Sequence, residues 1–188
     1  IMESLVNLQK KTIIISHGIN NRFRLNPKIQ KSIFEYSPEN PFRLIYVSSI
    51  DLYKHQWNVV NAVSQLRQEG FPVQLDLIGP SYPPALSRLK KAIEHYPFAV
   101  DCVFYHGEVP YEGLHIIYEQ ADLGIFASSC ESFSINLLET IAAGLPIACS
   151  ENNPMPEILK EAGVYFNPEA PNDIALKLRT MIVSTKLR

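Results

Sequence analysis

From Arg43 onward the chain alternates short unbroken apolar runs with segments whose apolar residues recur every three or four positions. RLIYV (Arg43–Val47) follows the Asn40–Pro41 breaker, is apolar and β-rich, and predicts a strand. Trp57, Val60, Ala62, Val63 and Leu66 then recur at helical spacing, and Gly70 stands where a helix ends. The same pairing repeats down the chain. VQLDLIG (Val73–Gly79) precedes a helix opened by Pro83–Pro84, with Leu86, Leu89 and Ile93 on one face. VDCVFY (Val100–Tyr105) precedes a helix over Pro110–Gln120, and ADLGIFA (Ala121–Ala127) one over Asn136–Ala143, stopped by Gly144. PIACS (Pro146–Ser150) precedes a short helix over Met155–Lys160, and VYF (Val164–Phe166) a last one over Pro171–Ile182.

Strict β–α alternation predicts an α/β fold, because each parallel crossover needs a covering helix. The strands are continuously apolar rather than alternating, as expected when both sheet faces are covered. The expectation is a Rossmann-like, doubly wound parallel sheet of about six strands. The opening stretch fits this less well. It offers a helix-like piece, one strand (KTIII, Lys11–Ile15) and the polar turn SHGINN.

Doubly wound sheets bind ligands at the carboxyl ends of their strands, where the strand order reverses. With the order 3-2-1-4-5-6, the facing loops are Ser48–Gln56, carrying Asp51, Lys54 and His55, and Ser128–Ser134, carrying Glu131 and its serines. A cation, a carboxylate and hydroxyls around one cleft suit a ligand with both phosphate and sugar character. Two alternatives lose ground here. SSIDLYK lacks the glycines of a dinucleotide turn, and the chain has no G-x-x-x-x-G-K-[ST] loop.

Composition narrows the choice further. The 188 residues are 46% hydrophobic and 19% charged, ordinary for one globular domain. A net charge of −2 without a Lys/Arg run argues against nucleic acid as a partner. Cys102, Cys130 and Cys149 form no C-x-x-C pair, and free thiols fit a cytoplasmic location. No apolar run approaches the ~20 residues of a spanning helix, which leaves peripheral attachment at the inner face of the membrane open. The five histidines include no H-x-x-x-H pair, so no metal site is expected; no cofactor is expected either.

The segment ASSCESFSINLLETIAAGLPIACS (Ala127–Ser150) strongly resembles the hallmark of glycosyltransferase family 4, retaining enzymes of the GT-B fold, roughly pSxxEgfGxxxlEAmaxGxPVvas. Glu131 and Glu139 match its E-x7-E pair, and Gly144-Leu145-Pro146 its G-x-P. Lys54, LIGP (Leu77–Pro80), FYHGEVP (Phe104–Pro110) and PMPEILKEAGVYFNP (Pro154–Pro168) supply flanking matches, so the resemblance runs over about residues 11 to 182. It implies one half of a GT-B fold: residues 1–31 as the tail of an N-terminal acceptor domain with the interdomain linker, and 32–188 as the C-terminal donor-binding domain.

The resemblance also implies roles. The donor would be a nucleoside-diphosphate sugar, and its sugar would pass to an acceptor hydroxyl in polysaccharide or glycan synthesis. A glycan or lipid-linked acceptor would come from the N-terminal domain. Glu131 would bond the donor sugar, and Glu139 the ribose hydroxyls, since a carboxylate can grip two O–H donors at once. Backbone N–H groups of Phe133, Ser134 and Ile135 would face the diphosphate at a helix start. Main-chain groups of His106, Gly107 and Val109 would read the base, and Lys54 would stabilise the leaving group. One departure stands out. The family's arginine in the first loop is replaced by Ser49, which keeps a non-catalytic binding module open as an alternative. Glu139, three residues after Asn136, could instead complete a helix capping box.

Overall fold

The computed structural model describes residues 17–188. Strands β1 (Phe42–Val47), β2 (Val73–Ile78), β3 (Val103–Tyr105), β4 (Leu123–Phe126), β5 (Ile147–Ser150) and β6 (Gly163–Phe166) form one parallel sheet. Its order is β3-β2-β1-β4-β5-β6, so the order reverses between β1 and β4. Helices α1 (Gln56–Gln68), α2 (Pro83–His95), α3 (Leu114–Gln120), α4 (Ile135–Ala142), α5 (Met155–Leu159) and α6 (Pro171–Val183) connect and follow the strands. The α/β expectation and the strand order hold. The predicted strand KTIII lies outside the described residues.

Two boundaries differ from the sequence pattern. The third strand starts at Val103, not Val100, because the Ala99 carbonyl accepts from the N–H groups of both Cys102 and Val103 (3.1 and 2.9 Å). Residues 99–102 therefore close a turn, and of their groups the Cys102 carbonyl still joins the ladder, accepting from the Leu75 N–H at 2.7 Å. The segment from Pro110 is a 3₁₀ turn, Tyr111–Gly113, before α3 begins.

The continuous apolar character of β1 has the expected cause. Phe42, Leu44 and Tyr46 point into one core with Val59, Val60, Val63 and Leu66 of α1 and Ile174, Leu178 and Ile182 of α6. Ile45 and Val47 point the other way, against Leu114, Tyr118 and Leu145. Each fully buried aliphatic side chain contributes about 1.5–3 kcal/mol relative to exposure. Phe23, from the stretch read as linker, is fully buried in the second core, and the Leu25 N–H donates to Ala142 O at 3.2 Å.

Two glycines decide how close the elements come. At Gly144, φ is 69°, and a Cβ there would lie 3.0 Å from the Pro27 ring. The stop after α4 therefore also seats the preceding segment. At Gly79, φ is 139°, and a Cβ would lie 2.3 Å from the Ser48 carbonyl oxygen. Only glycine lets the end of β2 pass that close to the loop after β1.

Candidate functional site

The loops that follow β1 and β4 meet where the strand order reverses. The Ser129 N–H donates to Tyr53 O at 2.8 Å, and His55 Nε2 meets Ser129 Oγ at 2.8 Å. Across this junction Lys54 Nζ is hydrogen-bonded and ion-paired to Glu131 Oε1, and both side chains are largely buried. Local geometry places the ammonium. Asp51 caps a 3₁₀ turn, Leu52–Lys54, its carboxylate accepting from the Leu52 N–H at 2.6 Å. His55 then turns the chain with a left-handed φ of 51°, and burial lowers its pKa. The buried Tyr46 hydroxyl donates to Lys54 O at 2.9 Å and fixes the turn from below.

The start of α4 is held just as firmly. Ser134 is its N-cap, with the hydroxyl accepting from the Leu137 N–H, and Asn136 Nδ2 donates to Val47 O at 3.0 Å. The first turn of the helix is thereby tied to the end of β1. The 43%-exposed Ile135 leaves this end open, and the Phe133 ring lies 5.1 Å from the His17 ring.

Glu139 lies one turn further along α4 and takes no part in a capping box, because the cap is Ser134 and not Asn136. Its carboxylate is buried, and Oε2 has no hydrogen-bond partner among the described residues. Burial pushes the carboxyl above its usual range, while the hydroxyls of Tyr111 and Tyr118 pull it back. Among the described residues Glu139 makes no hydrogen bond or ion pair with Lys54 or Glu131, which pair with each other.

That cavity, about 590 Å³, opens at the strand ends between β1, β2 and the loop after β3. Ser48, Ser49, Gly79, Val109, Tyr111 and Asn136 are among its lining residues, and Glu108 is the charged one. Gln56 braces two of these lining residues from outside the cavity, donating from a fully buried amide to Ser48 Oγ (3.0 Å) and Ser49 O (2.8 Å). Of the residues expected to read a base, Val109 lines the cavity. Gly107 spends its carbonyl on the Gly79 N–H at 2.8 Å, and the His106 N–H donates to Leu77 O at 3.0 Å. A second cavity, about 610 Å³, lies at the strand-start edge between Phe34 and Phe71, away from these loops.

Some of this had no signal in the sequence. His106 Nε2 lies 2.8 Å from Oδ1 of the buried Asp76, whose other oxygen meets Arg43 at 3.3 Å. Arg43 and Asp76 sit inside apparently apolar strands. Tyr111 was likewise unmarked; it follows the F-x-G-x-V match by two positions and reads as an ordinary turn residue. Among the described residues no group of three His, Cys, Asp or Glu side chains is placed to hold a metal ion.

Comparison with known proteins fixes the family. The family described as glycosyl transferases group 1 matches residues 28–188, and the chain belongs to it. Among curated relatives, O-antigen chain mannosyltransferase B of Escherichia coli is 34% identical over 70 residues, 37% of this chain and 18% of that protein. The sulfoquinovosyl transferase SQD2 of Arabidopsis thaliana is 24% identical over 178 residues, 92% of this chain and 32% of that protein. The chain thus spans under a third of the length of these relatives. The fold is that of Anabaena HepE, solved in complex with UDP and glucose. The TM-score is 0.79 at 17% identity, over 98% of this chain and 52% of that one. Sucrose-phosphate synthase of Thermosynechococcus elongatus superposes with a TM-score of 0.75 at 22% identity, over 99% of this chain and 48% of that one.

Proposed function

We propose that this chain is the donor-binding domain of a retaining glycosyltransferase that takes a sugar from a nucleoside diphosphate to an acceptor hydroxyl. The observation that carries the reading is the meeting of Lys54 and Glu131 across the two loops at the sheet's reversal point. The reading also draws on the start of α4, capped by Ser134, and on Glu139 one turn further along it, a buried carboxylate whose Oε2 has no partner among the described residues. Each has a task in such a transfer. As the bond to the diphosphate loosens, negative charge builds on the leaving group, and Lys54 with the helix start answers it. Glu131 bonds the donor sugar, and Glu139 takes the ribose hydroxyls. The UDP and glucose of the HepE complex point to the same ligand class.

In this reading the acceptor is a glycan or lipid-linked hydroxyl delivered by a second, N-terminal domain, at the cytoplasmic face of a membrane. The mannosyltransferase relative supports polysaccharide synthesis as the setting. A non-catalytic nucleotide-sugar module is the second reading. It is favoured by Ser49 at the expected arginine and by an ammonium group already engaged by Glu131.

Isothermal titration of the chain with uridine, guanosine and adenosine diphosphates and their sugars tests the proposal. Binding of one of them, weakened by Lys54→Ala, is expected. A folded protein that binds none overturns it.

A further inference from the structure

We propose that Glu108 selects the base of the bound nucleotide, and that the base it selects is guanine. The inference rests on the donor-binding reading and narrows its substrate to a sugar carried by guanosine diphosphate.

The lining of the cavity at the strand ends singles this residue out. Ile78, Pro80, Val109, Pro110 and Leu114 give the cavity apolar walls. Two of its polar side chains are engaged within the protein: the Ser48 hydroxyl donates to Ser49 O at 3.2 Å, and the Asn136 amide to Val47 O at 3.0 Å. Glu108 is the charged residue of the lining and is exposed. Among the described residues its carboxylate takes part in no hydrogen bond or ion pair. The imidazole two positions earlier does not answer it, because His106 Nε2 lies 2.8 Å from Asp76 Oδ1.

The backbone around Glu108 is fixed on both sides. Gly107 turns the chain with a φ of 71°, its carbonyl accepting from the Gly79 N–H at 2.8 Å, and Pro110 follows Val109 with its ring-locked φ. The sheet order sets which end of a ligand this carboxylate meets. Glu108 leaves the end of β3, and α4 follows β4, three strand spacings or roughly 14 Å away. A nucleotide with its phosphates at the start of α4 extends its base toward Glu108. A carboxylate only accepts, through two oxygens side by side. Guanine alone offers two N–H donors side by side on its pairing edge, the ring N–H and the amino group, and so meets both oxygens. Uracil offers one ring N–H between two carbonyls, and adenine an amino group beside a bare ring nitrogen. With either of these, one carboxylate oxygen faces a lone pair.

The experiment titrates wild type, Glu108→Ala and Glu108→Gln with guanosine, inosine, uridine and adenosine diphosphates, with circular dichroism confirming that each protein is folded. Inosine diphosphate keeps guanine's ring N–H and lacks its amino group. Wild type is expected to bind guanosine diphosphate about tenfold or more tighter than uridine or adenosine diphosphate, the worth of one charged hydrogen bond. Inosine diphosphate should fall between. Glu108→Ala should erase the guanine preference and the difference between guanosine and inosine diphosphates. Its affinity for uridine and adenosine diphosphates should hold or rise, since a negative charge facing an anionic ligand is gone. Glu108→Gln keeps the size, can still accept one bond, and should retain part of the preference. A residue that merely shaped the loop would weaken all four nucleotides alike, and that result overturns the inference. So does a wild type that prefers uridine or adenosine diphosphate; in both cases the donor reading stands. A folded wild type that binds none of the four removes the donor reading and this inference together.

Discussion

Lys54 and Glu131, separated by 77 positions in the chain, form an ion pair that fastens the loop after β1 to the loop after β4. Their side chains are 11% and 14% exposed, so the pair sits between the surface and interior regimes. Lys54→Met leaves Glu131 as a poorly solvated lone charge and is expected to lower stability by about 1–3 kcal/mol. Glu131→Gln can still accept from Lys54 and should cost less. Urea denaturation midpoints of the two variants check the ranking.

Gly79→Ala tests the close approach of β2 to the Ser48 carbonyl. The added carbon would sit 2.3 Å from that oxygen, in a backbone region side chains rarely adopt. Because the obstacle is backbone, it cannot swing aside. A loss on the order of 3 kcal/mol is expected, combining strain with overpacking. Nucleotide affinity should fall as well, since Ser48 and Ser49 line the cavity.

Glu139→Gln should separate stability from binding. Burial raises the carboxyl's pKa above its ordinary value, so the folded state holds its proton more readily than the unfolded chain. Stability contributed by this group is therefore greatest at low pH and is lost as pH rises above the ordinary glutamate range. The neutral amide removes that loss. The variant is expected to melt higher than wild type at pH 7, with the gap closing toward pH 4, while ribose recognition disappears. Melting curves at the two pH values decide it.

Phe23→Ala probes how far the segment before the sheet belongs to the site. The ring is fully buried against Tyr111 and Tyr118, and its removal is expected to cost about 3–5 kcal/mol. Loss of nucleotide affinity beyond that of a comparable core truncation, such as Leu178→Ala, would show that the cavity lining at Tyr111 depends on it.

Arg179→Ala is the contrasting case. Arg179 and Glu69 join α6 to α1 through two hydrogen bonds, yet both are 37% exposed. Solvent screening should hold the effect below about 1 kcal/mol, read as a small shift in melting temperature.

How much of this was legible beforehand varied with the physics involved. Strands buried on both faces announce themselves as unbroken apolar runs, so the sheet and its covering helices could be read directly. The reversal point follows from a common strand order, which puts Lys54 and Glu131 on facing loops. Glu139 was picked out by its motif, but its buried state and its tyrosine neighbours were not, because spacing along a helix says nothing about what packs above it. Arg43 and Asp76 passed as strand residues for a related reason: their pairing with His106 spans three strands. The packing of Phe23, within the stretch read as linker, was not legible because its partners, Tyr111 and Tyr118, lie about 90 positions away.

The bond from Asn136 to the Val47 carbonyl has one further consequence. It makes the tip of a central strand and the opening turn of α4 a single rigid body, assembled once, when the chain folds. The entropy of arranging those groups is then spent before any ligand arrives. A ligand that used this end of the helix would find those two groups already in place.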